Sequence, residues 1–212
     1  MEGATHVSLI CQGASAASVK ASSRLRYSHI SLLEHRGLQM QHLTARLILR
    51  PPVCDDLARL FQIYGDQATN QFNPSGPLRS ISQASALLER WLSHWATMGY
   101  GQWAISTQAE PGHVIGFGGI DTRAYLDEDR MNLGYRFGVE AWGQGYATEL
   151  SQAALAYGFE ELCAPAIFAV VRPAHAASIR VLRKVGMLHT GELDDVPGGA
   201  PSLVFTAHPD KG

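Results

Sequence analysis

Short apolar runs typical of β-strands recur along the chain from residue 46 onward. They cover residues 46–50, 102–107, 114–121, 131–139 and 166–171. Turns that contain glycine, proline or charged residues separate the second, third and fourth runs, at residues 109–112 and 125–130. These three runs follow one another without an intervening helical pattern, so they predict a meander of strands in the middle of the chain.

Apolar residues at three- and four-residue spacing predict four helices. The first begins after Pro51 and Pro52, two others cover residues 80–98 and 147–162, and the last ends at Gly186. A polar stretch between the first two helices, residues 65–77, is expected to form an exposed loop. Meandering strands followed by βαβ-like units predict a mixed sheet with helices on its faces.

A glycine-bracketed turn joins the fourth apolar run to the third helix. It reads Trp142-Gly143-Gln144-Gly145-Tyr146-Ala147-Thr148-Glu149. The leading amides of a helix have no intrahelical partner and lie at the positive end of its dipole, so Gly143 and Gly145 would let a pyrophosphate approach the bare backbone. Taken alone, the two glycines are also explained by a tight turn that needs them only for its dihedral angles.

A second patterned segment lies between Val170 and Met187. It predicts a short strand, an interruption at Pro173, an amphipathic helix and a glycine stop. Combined with the glycine turn, the order is strand, turn, helix, strand, helix. This order resembles the GNAT superfamily of acetyl-CoA-dependent N-acetyltransferases, and within it the RimJ/RimL-like branch of ribosomal-protein alanine N-acetyltransferases.

Three motifs carry the resemblance, which runs from about residue 43 to residue 195. They are T-x-R-L-x-L-R-P at residues 44–51, Gly134-Tyr135 followed by W-G-x-G-Y-A-T-E at residues 142–149, and V-x-P-x-N-x-x-S-x-x-V-L-x-K-x-G-F at residues 171–187. Two positions depart from these motifs: His175 replaces Asn and Met187 replaces Phe. The superfamily's phosphate signature, Q/R-x-x-G-x-G/A, maps onto Trp142, Gly145 and Ala147, with Trp142 in place of the usual polar first residue. Because the turn acts mainly through backbone amides, we expect the Trp142 exchange to matter little.

The resemblance implies an α/β fold of mixed α+β type, with a mostly antiparallel sheet of six to seven strands and helices on both faces. In this fold, the strand that ends at Phe137-Gly138-Val139 splays from the strand at residues 166–171, and the gap holds the cofactor. Backbone groups of Phe137 and Val139 would bind the pantetheine arm as an added strand does. Gly138 would permit a close backbone approach, or would simply end the strand.

The resemblance also implies direct transfer of an acetyl group from acetyl-CoA to an amine in a ternary complex. Such a reaction needs a neutral amine, a stabilised oxyanion and a protonated or solvated leaving thiolate. The expected catalytic groups are the Val139 backbone amide, as the oxyanion donor, and Ser178, as the donor to the coenzyme sulfur. Ser178 would otherwise cap its helix, and His175 would either contact the coenzyme or only begin the helix. The expected cofactor-binding set is Phe137, Gly138, Val139, Gly143, Gln144, Gly145, Tyr146, Ala147, Thr148, His175 and Ser178.

The sequence does not identify a general base. Related enzymes often have Glu just before the Gly-Tyr pair, where this chain has Asn132, which cannot take a proton at neutral pH. Asp194 and Asp195 lie where related enzymes can place an acid, but a solvated turn explains them better. An ordered water that passes protons to bulk solvent would serve instead.

Composition narrows the setting and the partners. The 212 residues are 46% hydrophobic, so the chain has enough apolar side chains to form a core without disulfides, and its formal net charge is −2. Three cysteines without CxxC spacing predict a reduced, cytoplasmic setting, and the absence of an 18-residue apolar run predicts no membrane span. Nine histidines without HxH or HExxH spacing predict no metal site, and the lack of a basic stripe argues against nucleic acid. We expect an amine substrate, including a ribosomal or other protein N-terminus, and a monomer or homodimer.

The first 39 residues differ from the rest of the chain. They are rich in serine and basic residues and lack sustained hydrophobic periodicity. We expect a disordered extension, or a mis-annotated start with the true start at Met40; an Arg- and Ser-rich transit peptide is the alternative. Residues 40–212 then form the acetyltransferase domain.

Two other functions stay open. An acyl-CoA-binding regulatory module with weak catalysis would fit Asn132, His175 and the short segment after Thr206. A phosphate- or nucleotide-binding α/β domain would explain the glycine turn. The absence of a GK[ST] lysine and of an opening βαβ unit argues against the second.

Overall fold

Eight strands form one sheet in the computed structural model, which describes residues 41–125 and 128–209. They are β1 (His42–Leu43), β2 (Leu47–Arg50), β3 (Gln102–Thr107), β4 (Val114–Tyr125), β5 (Glu128–Phe137), β6 (Ile167–Val171), β7 (Leu188–Leu193) and β8 (Ser202–Ala207). Their order is β1-β2-β3-β4-β5-β6-β8-β7, and every neighbouring pair is antiparallel except β5 with β6. The mixed, mostly antiparallel fold is confirmed, and the expected six to seven strands become eight.

The strands β1, β7 and β8 escaped the sequence patterns, the first two for physical reasons. β1 has two residues, too few to show a period of two. β7 exposes most of its length, including Leu188, so its hydrophobic alternation is lost. The expectations for residues 1–39, and for Met40 as a start, lie outside the described residues.

Four helices match the predicted ones, with small changes at their ends. They are α1 (Leu57–Gly65), α2 (Ile81–Met98), α3 (Tyr146–Glu160) and α4 (Ala176–Lys184). Short 3-10 turns lie at Cys54–Asp56, Ala68–Asn70 and Val139–Ala141. Ser80 caps α2 by accepting a hydrogen bond from the backbone N–H of Gln83 at 3.3 Å, and Gly99 ends that helix with a φ of 75°. Gly186, with a φ of 85°, follows α4 as predicted.

Helices cover both faces of the sheet. Side chains of α3 and α4 belong to one buried cluster, with members Leu150, Ala154, Ile167, Ala169 and Leu182. Side chains of α1 and α2 belong to another, with members Leu60, Ile63, Leu88, Trp91 and Phe117. Successive side chains of a strand point to opposite faces. Tyr135 therefore packs on the α3 and α4 side, while the next residue, Arg136, lies on the α1 and α2 side over the Tyr64 ring.

The parallel strands β5 and β6 diverge. They share a single register pair, Asn132 with Phe168, and within the described residues the rest of β5 up to Phe137 has no strand partner on that side. This divergence is the splayed pair that the resemblance implied. The strand ends at Phe137, earlier than expected, because Val139 begins a 3-10 turn. At the other end, β4 and β5 pair as far as Tyr125 and Glu128, where a longer turn was expected.

Within residues 41–125 and 128–209, no helix is long and apolar enough to cross a membrane. In the same part of the chain, no group of three or more His, Cys, Asp or Glu side chains is arranged to hold a metal ion.

Candidate active site

Both glycines of the turn before α3 adopt left-handed backbone conformations. The φ angles are 73° at Gly143 and 79° at Gly145, a region that residues with side chains rarely adopt. Gly145 occupies the N-cap position without a side-chain cap, and its carbonyl accepts from the N–H groups of Thr148 and Glu149 at 3.1 and 3.2 Å. Gly143, Gln144 and Gly145 are exposed, and Tyr146, Ala147 and Thr148 are half-buried. The glycines thus meet a dihedral requirement, and the turn also presents the first amides of a 15-residue helix to solvent.

Arg46 and Thr44 hold this turn from the loop between β1 and β2. Glu149, in the first turn of α3, accepts hydrogen bonds from the Thr44 hydroxyl at 2.5 Å, the Arg46 backbone N–H at 2.7 Å and the Arg46 Nε at 2.7 Å. Arg46 Nη1 also donates to the Gln144 carbonyl at 2.9 Å. Burial disfavours the Glu149 carboxylate, but the hydrogen bonds from Thr44 and Arg46 outweigh it and lower its pKa. Residues from two of the three sequence motifs therefore meet, a contact that sequence reasoning missed.

Trp142 ties the same turn to the end of β5. Its side chain is 49% exposed, and its indole N–H donates to the Phe137 carbonyl at 3.1 Å. This contact was not expected from the sequence, where Trp142 had no role beyond replacing a polar residue. Because a carbonyl oxygen has two lone pairs, Phe137 can still accept a second hydrogen bond.

The strand end places the expected oxyanion donor outside the strand. Phe137 is buried, and the Gly138 N–H donates to the Ile115 carbonyl at 2.9 Å, so the sheet continues to this point. Val139 follows in a 3-10 turn and is 44% exposed. A Cβ at position 138 would lie 2.5 Å from the Glu140 carboxylate, the end of a flexible and half-exposed side chain that would have to move.

Ser178 lies inside the first turn of α4, three residues after His175. Its hydroxyl contacts His175 Nε2 at 3.3 Å, and the N-cap position belongs to His175, so Ser178 is not the helix cap. Next to it lies the Tyr135 hydroxyl, which is buried without a hydrogen-bond partner among the described residues. Burial raises the pKa of Tyr135 to about 12, while the nearby Ser178 hydroxyl acts in the opposite direction. A buried hydroxyl that lacks a partner in a cleft between strands is a group that a bound ligand can satisfy.

The segment between α1 and α2, expected to be an exposed loop, packs against this site. Asn70 is 5% exposed and donates to the carbonyls of Tyr64 and Asp66 at 2.9 and 2.7 Å. The Phe72 ring stacks on the His175 ring with centroids 4.3 Å apart. Burial and the charge of Arg136 lower the pKa of His175, which favours the neutral ring. The exposed-loop prediction holds for much of residues 65–77 and fails at Asn70, whose buried polar side chain fixes the loop.

A row of polar side chains lines a cavity of about 290 Å³ on the α1 and α2 face. Asp121 of β4 lies directly across from Asn132 of β5. Burial raises the pKa of Asp121, although the nearby side chains of Gln102 and Asn132 act in the opposite direction. Asn132 accepts a hydrogen bond from the Tyr125 hydroxyl at 2.7 Å. A half-buried carboxylate therefore stands beside the position where the sequence has an amide.

A solvated turn was expected for both Asp194 and Asp195. Asp194 is exposed, but Asp195 is half-buried and has partners. Asp195 accepts from Arg123 at 3.1 Å and from the Ser202 hydroxyl at 2.7 Å. Its contacts join β4 to β8 and offer no geometry for a base at the strand end.

Comparison with known proteins gives the family. The model of the acetyltransferase (GNAT) domain family matches residues 46–188. The uncharacterized N-acetyltransferase p20 of Bacillus licheniformis is 29% identical over 154 residues, covering 72% of this chain and 84% of that protein. The uncharacterized protein YkkB of Bacillus subtilis is 38% identical over 83 residues, 39% of this chain, and the match spans about half of its length (48%).

Solved structures share the fold. An acetyltransferase from Agrobacterium tumefaciens has a TM-score of 0.68 at 25% identity, covering 79% of this chain and 94% of that one. The spermidine N-acetyltransferase of Vibrio cholerae, solved with CoA and spermine, has a TM-score of 0.62 at 17% identity, covering 76% and 95%. The ribosomal-protein-S5-alanine acetyltransferase of Vibrio fischeri has a TM-score of 0.64 at 14% identity, covering 81% and 98%.

The chain belongs to the GNAT acetyltransferase family. Its family model and its named relatives place it among the acetyl-CoA-dependent N-acetyltransferases.

Proposed function

We propose that this protein transfers an acetyl group from acetyl-CoA to a primary amine, on a protein N-terminus or a small molecule, by direct attack in a ternary complex. The observation that carries the proposal is the divergence of β5 from β6 after Asn132, with the Tyr135 and Ser178 hydroxyls beside it and the glycine turn at its end. The named activities of two proteins with the same fold, one acting on spermidine and one on a ribosomal protein, are both amine acetylations.

The proposed coenzyme path runs along one face of the molecule. The pyrophosphate lies against the amides of residues 143–148 at the start of α3, where the helix dipole favours a negative charge. The pantetheine arm lies in the wedge along β5 and bonds backbone groups near Phe137, with Gly138 and Val139 at its end. The sulfur then lies near Ser178 and His175.

The proposed chemistry is one displacement. The amine nitrogen attacks the thioester carbonyl carbon, the C–N bond forms, the C–S bond breaks and the amine loses a proton. A backbone N–H at the end of β5 stabilises the oxyanion. Val139 was expected for this role, but it lies in a 3-10 turn, so the backbone amides of residues 135–137 are alternative donors. Ser178 donates to the leaving sulfur, and the neutral His175 ring orients the Ser178 hydroxyl.

The test is acetyl-dependent release of CoA thiol from the purified full chain. Peptides with free N-termini, polyamines, amino acids and aminoglycosides serve as acceptors, with thermal melting measured alongside. We expect acetyl-CoA to raise Tm, because a ligand that binds only the native state stabilises it, and at least one amine class to accelerate thiol release. A Tm shift with no turnover for any amine would favour the acyl-CoA-binding module. No Tm shift over a hundredfold range of acetyl-CoA would exclude both.

A further inference from the structure

Arg136 is a partly buried cation that has no anionic partner among the described residues. Its guanidinium lies 4.3 Å from the centre of the Tyr64 ring and donates a hydrogen bond to Asn70 Oδ1. In the part of the chain that the structure describes, no Asp or Glu side chain forms an ion pair with it. Removing a charge from water without a counter-ion is costly, so this guanidinium is suited to an anion that comes from a ligand.

The other arginines on this face of β4 and β5 have carboxylate partners. Arg123 pairs with Asp195 at 3.1 Å, and Arg130 pairs with Glu128 at 2.7 Å. Arg136 therefore differs from Arg123 and Arg130 in having no carboxylate partner among the described residues.

Two cavities meet at Arg136 and Tyr64. The first, of about 290 Å³, also contains Asp121, the acidic residue of its lining, and Arg123, whose charge is paired with Asp195. The second, of about 470 Å³, is lined by Arg79 and by the uncharged residues Asn73, Ser75 and Gln83. One cavity thus has a negative group at one end, and both share a positive group where they join.

The spacing of the two charges follows from the strand. Asp121 lies across from Asn132, and Arg136 is four residues further along β5, roughly 14 Å at about 3.4 Å per residue. Both side chains lie on the α1 and α2 face and line the same cavity. A small molecule that bridges the two groups must have its charged ends several bonds apart.

We propose that the paired cavities bind an amine that carries a carboxylate, with Asp121 holding the ammonium and accepting its proton and Arg136 holding the carboxylate. This inference rests on the proposed acetyl transfer. The ammonium first passes one proton to the Asp121 carboxylate, which leaves a neutral amine. The C–N bond then forms as the C–S bond breaks, and the second nitrogen proton goes to the departing CoA thiolate directly or through solvent. Asp121 thus provides, from the neighbouring strand, the base that Asn132 cannot provide.

The charges also exclude a competing substrate class. A polyamine would bring a second ammonium towards Arg136, and like charges brought together in a partly desolvated site repel. A monoamine with an apolar tail would leave Arg136 without a counter-ion. The cavity should therefore rank three acceptors of equal length, with the amino acid first, the alkylamine second and the diamine last.

The experiment compares three five-carbon amines on the full chain: 5-aminopentanoate, n-pentylamine and 1,5-diaminopentane. We expect kcat/KM for 5-aminopentanoate to exceed that for n-pentylamine by about tenfold or more, since truncating one member of a desolvated charge pair has at least that effect. Arg136→Gln should abolish the preference, and Arg136→Lys should keep part of it. Asp121→Asn should lower kcat for all three amines and leave the coenzyme Kd unchanged.

Arg130→Gln is the matched control, because it removes a paired cation from the same face of the same strand. It should leave the preference intact. Calorimetry with 5-aminopentanoate, without acetyl-CoA, separates the two claims. If 5-aminopentanoate binds, Arg136→Gln weakens that binding and no amine is acetylated, the cavity is upheld as a binding site and the transferase function is overturned. Acetylation of n-pentylamine, 1,5-diaminopentane or a peptide as efficiently as of 5-aminopentanoate would uphold the transferase and overturn this inference.

Discussion

The Arg46 guanidinium and the Glu149 carboxylate lie 2.7 Å apart across a sequence separation of 103 residues. Arg46 belongs to the loop that enters β2, and Glu149 to the first turn of α3. The contact fixes the glycine turn against the start of β2, because Arg46 also donates to the Gln144 carbonyl within that turn. The geometry of the turn therefore depends on a residue far from it in sequence.

Glu149→Gln should weaken acetyl-CoA binding several-fold. The loss in the free energy of unfolding should be about 1 kcal/mol or less, since the Arg46 side chain is 49% exposed and water screens the pair. The folded pKa of Glu149 is lowered, so its contribution is present above the unfolded pKa and is lost as pH falls through the folded value. Coenzyme titration and pH-dependent melting of both proteins measure these effects. Glu128→Gln, in an exposed pair with Arg130, is the control and should change neither.

Gly145→Glu should abolish coenzyme binding. The variant places a side chain at a φ of 79° and a negative charge where the pyrophosphate is proposed to approach. Gly186→Ala is a control for backbone strain, since its φ is 85° and no atom lies within 4 Å of the added Cβ. It should lower stability by about 1–2 kcal/mol and leave coenzyme affinity unchanged. Equal coenzyme affinity in wild type and Gly145→Glu would remove the turn from the binding site.

Ser178→Ala should reduce kcat by roughly ten- to a thousandfold with little change in coenzyme affinity, because it removes only a donor to the leaving sulfur. Steady-state kinetics with a saturating amine, together with a separate coenzyme titration, distinguish the two parameters. Unchanged kcat would leave thiolate departure to solvent or to another residue.

Tyr135→Phe should leave the stability of the free protein unchanged or raise it by about 1 kcal/mol, since it deletes a buried hydroxyl without a partner. If bound acetyl-CoA satisfies that hydroxyl, the rise in Tm on binding should be smaller in the variant. Melting curves with and without acetyl-CoA provide both comparisons. An equal rise in both proteins would show that the hydroxyl lies outside the coenzyme site.

His175→Asn should flatten the loss of stability on acidification. The folded pKa of His175 is lowered by burial and by Arg136, so the unfolded chain binds the proton more readily. Stability from this group is therefore full above the unfolded pKa of about 6.5 and declines as pH falls towards the folded value. Melting between pH 7.5 and 5.5 should show a shallower slope in the variant. The same slope in both proteins would show that His175 does not contribute to the loss of stability on acidification.

The helices and the central strands were predictable because their patterns are local. The three-and-four spacing in α2 and the glycine turn before α3 need only short windows of sequence to be recognised. β1 and β7 were missed, since a two-residue strand has no period and a strand exposed over most of its length loses the alternation that marks burial.

The residues of the candidate site also fall into two groups, those predictable from local motifs and those brought together only by the fold. The positions of Gly143, Gly145 and Ser178 followed from motifs. The meeting of Thr44 and Arg46 with Glu149 depends on the folded chain, as does the register that sets Asp121 opposite Asn132. A pattern of single residues does not encode which distant strand pairs with which, and that register is what places a carboxylate beside the amide.

Tyr135 and Arg136 are adjacent in the chain yet lie on opposite sides of the sheet. If the donor is held on the Tyr135 side and the acceptor on the Arg136 side, neither ligand covers the entrance of the other, and the two meet only through the opening between β5 and β6. Such a partition imposes no order of addition. Initial rates should then give intersecting lines in double-reciprocal plots. The sheet itself separates the two substrates until both are bound.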